Sequence, residues 1–193
     1  MNLFTAITVF TLLISGQLVA ADLTTAWQDV NNGKSFVIMR HALAPGTGDP
    51  DDFELRDCGT QRNLSDRGRQ QASAIGEKFR QAGIQNAQVY SSQWCRCLDT
   101  AAELNIGVTQ ELPFLNSFYG RRELEAAQMQ NLKEWIKSID TNNATVLVTH
   151  QVVITSLTGV FPASGEAVIF TMTDEDEIEV IACLLYTSDA ADE

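Results

Sequence analysis

Apolar residues along this chain fall into two patterns. The first is the short unbroken run: Phe36-Val37-Ile38-Met39 behind Ser35, and Val146-Leu147-Val148 within 144–149. Such runs, without polar alternation, predict strands buried on both faces, as in a parallel sheet. Shorter stretches at 88–91 and 107–110 predict two further strands. The second pattern is helical spacing. Ala72, Ile75, Phe79 and Ala82 share one face of a helix that starts behind an N-cap at Ser65 and closes at Gly83. Leu132, Trp135, Ile136 and Ile139 do the same within 123–139, and helices are also predicted over 93–104 and 152–157. Two last strands, 167–172 and 177–181, flank a turn at Thr173-Asp174-Glu175-Asp176. Strands and helices therefore alternate until a closing hairpin. The predicted fold class is α/β: a three-layer sandwich with a mainly parallel sheet and an antiparallel hairpin at its C-terminal edge.

The two ends do not continue these patterns. Leu3 to Ile14 is apolar apart from threonines, and Val19 and Ala21 are small residues before a cut at Asp22. Residues 1–21 are expected to be a signal peptide, which makes the protein exported, periplasmic or secreted. Cys183 to Glu193 resembles the conceptual translation of a sequencing adapter and is expected to be an artefactual tail, disordered or loosely placed from about Cys183, unless Leu184 and Leu185 extend the last strand. Residues 22–182 are left as one domain, long enough for a hydrophobic core. The net charge of −12 repels nucleic acid and anionic membrane, so neither is an expected partner once the signal is removed. Export implies an oxidising compartment, and a disulfide is expected between Cys58 and either Cys95 or Cys97. Outside the tail, which holds the fourth cysteine, three Cys and two His at scattered spacings match no zinc pattern, so neither a metal nor another cofactor is expected.

The candidate chemistry lies at three predicted strand ends. Arg40-His41, then Ser91-Ser92 leading to Arg96, then His150 follow the strands at 35–39, 88–91 and 144–149. An open parallel sheet binds ligands outside the carboxyl ends of its strands, so these groups should meet at one rim. Both histidines of the chain occupy such positions. The stretch Ala42 to Arg62 is a long polar loop with Gly46 and Gly48, and long loops are usually functional.

Val37-Ile38-Met39-Arg40-His41-Ala42 resembles the Arg-His-Gly signature of the histidine phosphatase superfamily, whose fold is phosphoglycerate mutase-like. Leu64-Ser65-Asp66-Arg67-Gly68 resembles its following helix start. Tyr90-Ser91-Ser92 with Arg96, Thr100 and Ala101 resembles its second arginine motif, and Val146-Leu147-Val148-Thr149-His150 its second histidine motif. The resemblance implies a phosphomonoesterase in which His41 attacks phosphorus and forms a phosphohistidine. Arg40, Arg96 and His150 would surround the phosphoryl oxygens, and amides of the helix after Ser92 would assist. Arg62, Asn63 and Ser92 are candidate substrate contacts, and Trp94 and Phe118 candidate residues of the mouth. The substrate would be a small-molecule or glycan phosphomonoester.

The sequence departs from the family pattern in places. Ala42 replaces the usual glycine. Gln151 follows His150 where one branch has an acidic proton donor, and Asn116 stands where the other branch has a glutamate. No general acid is located; Asp49, Asp51, Glu54 and Glu123 qualify by type alone. The missing acid keeps a catalytically weak phosphate-binding pseudophosphatase as the alternative, and a phosphomutase behind it.

Overall fold

The computed structural model describes residues 17–184, with side chains from residue 23 onward. The apolar segment before Gln17 and the chain beyond Leu184 lie outside the described residues. Helix α1 (Gln17–Asn31) runs through the junction expected after Ala21. Then follow β1 (Phe36–Arg40), α2 (Asp66–Gln81), β2 (Gln88–Ser91), α3 (Cys95–Leu104), β3 (Thr109–Glu111), α4 (Glu125–Ser138), β4 (Thr145–Thr149), α5 (Gln151–Thr158), β5 (Ala167–Met172) and β6 (Ile178–Leu184).

The six strands form one sheet in the order β3-β2-β4-β1-β5-β6. β1, β2, β3 and β4 run parallel, while β5 is antiparallel to both β1 and β6. The α/β sandwich with its C-terminal hairpin is thus the observed architecture. Alternate side chains of each central strand enter two different cores. Val37, Met39, Val146, Val148 and Ile169 pack against α1, α2 and α3 through Val30, Phe79 and Leu104. Phe36, Ile38, Leu147, Val168 and Phe170 pack against α4 and α5 through Leu132, Ile136 and Ile154. Burial on both faces explains the unbroken apolar runs.

Two details differ from the sequence reading. Helix α1 was not anticipated beyond residue 21, yet Ala26 and Val30 are fully buried and Trp27 meets Phe79 edge-on, ring centroids 5.6 Å apart. The last strand also runs further than expected: Cys183 and Leu184 pair with Val168 and Ala167, and Leu184 is buried.

Candidate active site

Arg40, His41 and His150 are placed by backbone at strand ends, and Arg96 by the first turn of α3. The His41 amide donates to Thr149 O (2.9 Å), which ties the exits of β1 and β4 together, and Gly165 N donates to His41 O (3.1 Å). Ala42 N donates to Thr100 Oγ1 (3.0 Å), and Leu43 N to Gln71 Oε1 (2.9 Å). The chain after the strand is therefore clamped to α3 and α2. Its closeness to α2 requires Gly68, where a Cβ would lie 2.1 Å from Leu43 O. Ala42 is fully buried without a left-handed φ, so the methyl group in place of the family glycine is accommodated.

His41 is 2% exposed. Its Nδ1 lies 2.8 Å from Ala42 O. A carbonyl only accepts, so Nδ1 carries the proton and Nε2 the lone pair. Burial lowers its pKa to about 3; the Ala42 bond opposes this, and the charges of Arg96, Arg40 and Arg62 add to it. The imidazole is neutral at any ordinary pH. His150 stands against it, ring centroids 5.6 Å apart. Its Nδ1 accepts from Arg96 Nη2 (3.4 Å), which leaves the proton on Nε2 to be donated to Ser92 Oγ (2.8 Å). Burial first, then Arg96, holds His150 well below the ordinary imidazole range.

His41 and His150 line a cleft of about 400 Å³, together with Arg40, Arg62, Arg96 and Arg121. Asp49 and Asp51 are the carboxylates in its wall. Asp49 reaches Arg96 with both oxygens, at 2.7 Å to Nη1 and 3.1 Å to Nη2. Burial pushes the Asp49 carboxyl up, but hydrogen bonds and charge from Arg96, with Arg62 N and Trp94 Nε1, hold it below the ordinary carboxylate range. Nε of Arg40 and Nε of Arg96 are buried donors without a protein partner.

The expected residues divide into three groups. Arg40, His41, Arg96 and His150 converge in the cleft. Arg62 also lines it, but its Nε donates to Gly48 O (2.6 Å) and its Nη1 to Ala44 O, so it chiefly pins the loop. Asn63 and Ser92 are not in the lining. Asn63 Nδ2 turns back to Cys58 O and Gln61 O, and Ser92 bonds His150 and Asn116 Oδ1. Both therefore position other groups in this structure and lie behind the cleft wall. Trp94 lines the cleft, whereas Phe118 is packed in the core. Of the amides at the start of α3, Trp94 N just before the helix donates to Ser92 Oγ and Cys95 N to Gln61 Oε1. Of the acid candidates, Asp49 and Asp51 reach the cleft and Glu54 and Glu123 do not.

Cys58 is bonded to Cys95, not Cys97, and this joins the long loop to the first residue of α3. Cys97 is a free thiol, its pKa pushed up to about 12 by burial. Gln61, unnoticed in the sequence, makes the same junction: its Nε2 donates to Glu54 O and Leu55 O while its Oε1 takes the Cys95 amide. Tyr119 and Arg121 form the facing wall, and nothing in the local pattern marked them.

Residues 36–118 match the model of the histidine phosphatase superfamily, branch 1. No curated protein matches the sequence. Solved structures share the fold. The protein histidine phosphatase SixA complexed with tungstate superposes with a TM-score of 0.53 at 18% identity, over 78% of this chain and 96% of that one. The mycobacterial glucosyl-3-phosphoglycerate phosphatase Rv2419c gives 0.55 at 17% identity, over 76% and 97%. A phosphoserine phosphatase from Entamoeba histolytica gives 0.55 at 15% identity, over 77% and 95%. Residues 36–118 thus resemble the histidine phosphatase superfamily in sequence, and the solved structures share the fold of this chain.

Proposed function

We propose that the protein is a phosphomonoesterase working through a phosphohistidine on His41. The observation that carries this reading is the state of His41: buried, neutral, protonated on Nδ1, and set among three arginines. Its Nε2 lone pair attacks phosphorus as the bond to the ester oxygen breaks. The alcohol leaves with a proton, water then attacks the phosphohistidine, and inorganic phosphate departs. Arg40 and Arg96 stabilise the oxygens of the transferring group, where the planar guanidinium matches the charge that develops. Two unpaired buried donors, Nε of Arg40 and of Arg96, are what a site prepared for an oxyanion leaves open.

The neutral nucleophile and the arginines suffice for this chemistry without a metal or cofactor. Asp49 is fixed as a carboxylate, so the leaving-group proton comes from solvent. The reading further includes export to an oxidising compartment, supported by the apolar N-terminal run and the Cys58–Cys95 bridge. A small or glycan phosphomonoester fits the open cleft. Steady-state assay of the mature protein against a panel of phosphomonoesters tests the reading. Turnover that is lost in His41→Ala is the expected result. Binding of phosphate without turnover would instead favour a pseudophosphatase, and phosphoryl transfer between two positions of one substrate would favour a mutase.

A further inference from the structure

Asp49 is an acidic side chain inside a site read as built for an anion. Its side chain is 9% exposed and that of Arg96 3%. Oδ1 accepts from Arg96 Nη1 and from the Arg62 amide (3.1 Å), and Oδ2 from Arg96 Nη2 and Trp94 Nε1 (3.0 Å). The remaining terminal N–H groups of Arg96 reach Arg62 O (3.3 Å) and His150 Nδ1 (3.4 Å). All four terminal N–H groups of the fork are therefore engaged, and only Nε has no partner.

Such a carboxylate is either a resident anion that substrate must displace or a brace that sets the arginine. Displacement would require the loop to swing, and the loop is held at several points. Arg62 grips Gly48 O and Ala44 O, and the disulfide and Gln61 join residues 54–61 to α3. Charge favours the brace as well. Arg40, Arg62 and Arg96 with one carboxylate leave the inner site at plus two, with both imidazoles neutral, and this matches a phosphoryl dianion.

We propose that Asp49 is a positioning residue that acts through Arg96: it holds the terminal nitrogens of the fork, fixes its plane beside His150, and leaves the Nε edge for the phosphoryl group. The inference rests on the phosphatase reading and extends it to a residue far from the recognised motifs.

The test uses the full mature chain with its disulfide intact. Tungstate is titrated calorimetrically into wild type, Asp49→Asn and Asp49→Glu, and initial rates are measured with p-nitrophenyl phosphate. Removing a negative charge beside three arginines should by itself tighten anion binding. A brace predicts the opposite: Asp49→Asn binds tungstate about tenfold more weakly, and its kcat falls by a larger factor than its KM rises. Asp49→Glu, which keeps the charge, should recover part of both. Tungstate binding in Asp49→Asn that is equal to or tighter than wild type would overturn the proposal and make Asp49 a competitor of the substrate. If wild type binds tungstate but turns nothing over, the phosphatase reading fails while the tungstate comparison still decides the role of Asp49. Should Asp49→Asn not fold, Trp94→Phe removes one of the four bonds to the carboxylate. It should weaken tungstate binding by about twofold to fivefold, and unchanged binding would count against the brace.

Discussion

At the scale of single residues the account turns on two buried neutral imidazoles. The unfolded chain takes up a proton at each histidine near pH 6.5, whereas folded His41 resists until about 3. Between those values the unfolded state binds more protons, so stability is complete above pH 6.5 and falls as the solution is acidified. His41 alone should cost about 1.4 kcal/mol for each pH unit in that window. Urea midpoints measured from pH 7 to pH 4 should show this slope, and His41→Gln should be visibly less acid-sensitive. An equal slope in the variant would mean that His41 is not held neutral. The same depression bears on activity. Protonation of His41 should not limit kcat/KM above pH 4, so any acid limb there belongs to the substrate or another group.

At the scale of elements, α2 and α3 are docked against the loop that follows His41, and single contacts report on that docking. In Gly68→Ala the added methyl meets the Leu43 carbonyl, which is backbone and cannot rotate away. A loss on the order of 2–4 kcal/mol is expected by thermal or urea unfolding, with kcat reduced because the His41 loop moves. The Cys58–Cys95 bridge closes a separation of 37 residues. Its reduction should cost about 4 kcal/mol by releasing the unfolded chain, and should weaken anion binding because Arg96 follows Cys95 directly. Equal unfolding midpoints with and without reductant would contradict that role. Most elements were legible because their periods are local: the helix face of Ala72, Ile75 and Phe79, and the unbroken run at β4. Helix α1 was obscured by the apolar run beside it, although Ala26, Trp27 and Val30 carry helical spacing. The strand-end residues Arg40, His41, Arg96 and His150 were legible because a parallel sheet brings its strand ends to one rim. The partnership of Asp49 with Arg96 was not. It depends on the path of a loop whose turns at Gly46 and Gly48, both at positive φ, carry no periodic signal. Asn63 and Ser92 were the right residue types in the right neighbourhood, but hydrogen bonds to the chain itself claim Asn63 Nδ2 and Ser92 Oγ.

At the scale of the whole molecule, a chain of net charge −12 concentrates four of its 13 basic residues around one cleft. The long-range field opposes an anionic substrate, and the local one attracts it within about a Debye length. Added salt should therefore weaken phosphate binding less than it would for a uniformly basic protein. With Asp49 held ionised and Asn116 engaged by Ser92 and Gln93, the cleft has no buried carboxylic acid among the described residues to protonate a poor leaving group. Rates on a series of aryl phosphates should rise steeply as the pKa of the phenol falls, and a flat dependence would reveal an efficient proton donor. The central claim is that His41 carries the phosphoryl group. It is tested most directly by mixing the protein with labelled phosphomonoester, quenching rapidly in alkali, and mapping the label. The account predicts an alkali-stable, acid-labile phosphoryl group on His41, absent from His41→Ala. Turnover retained in His41→Ala, or label on any other residue, would contradict it.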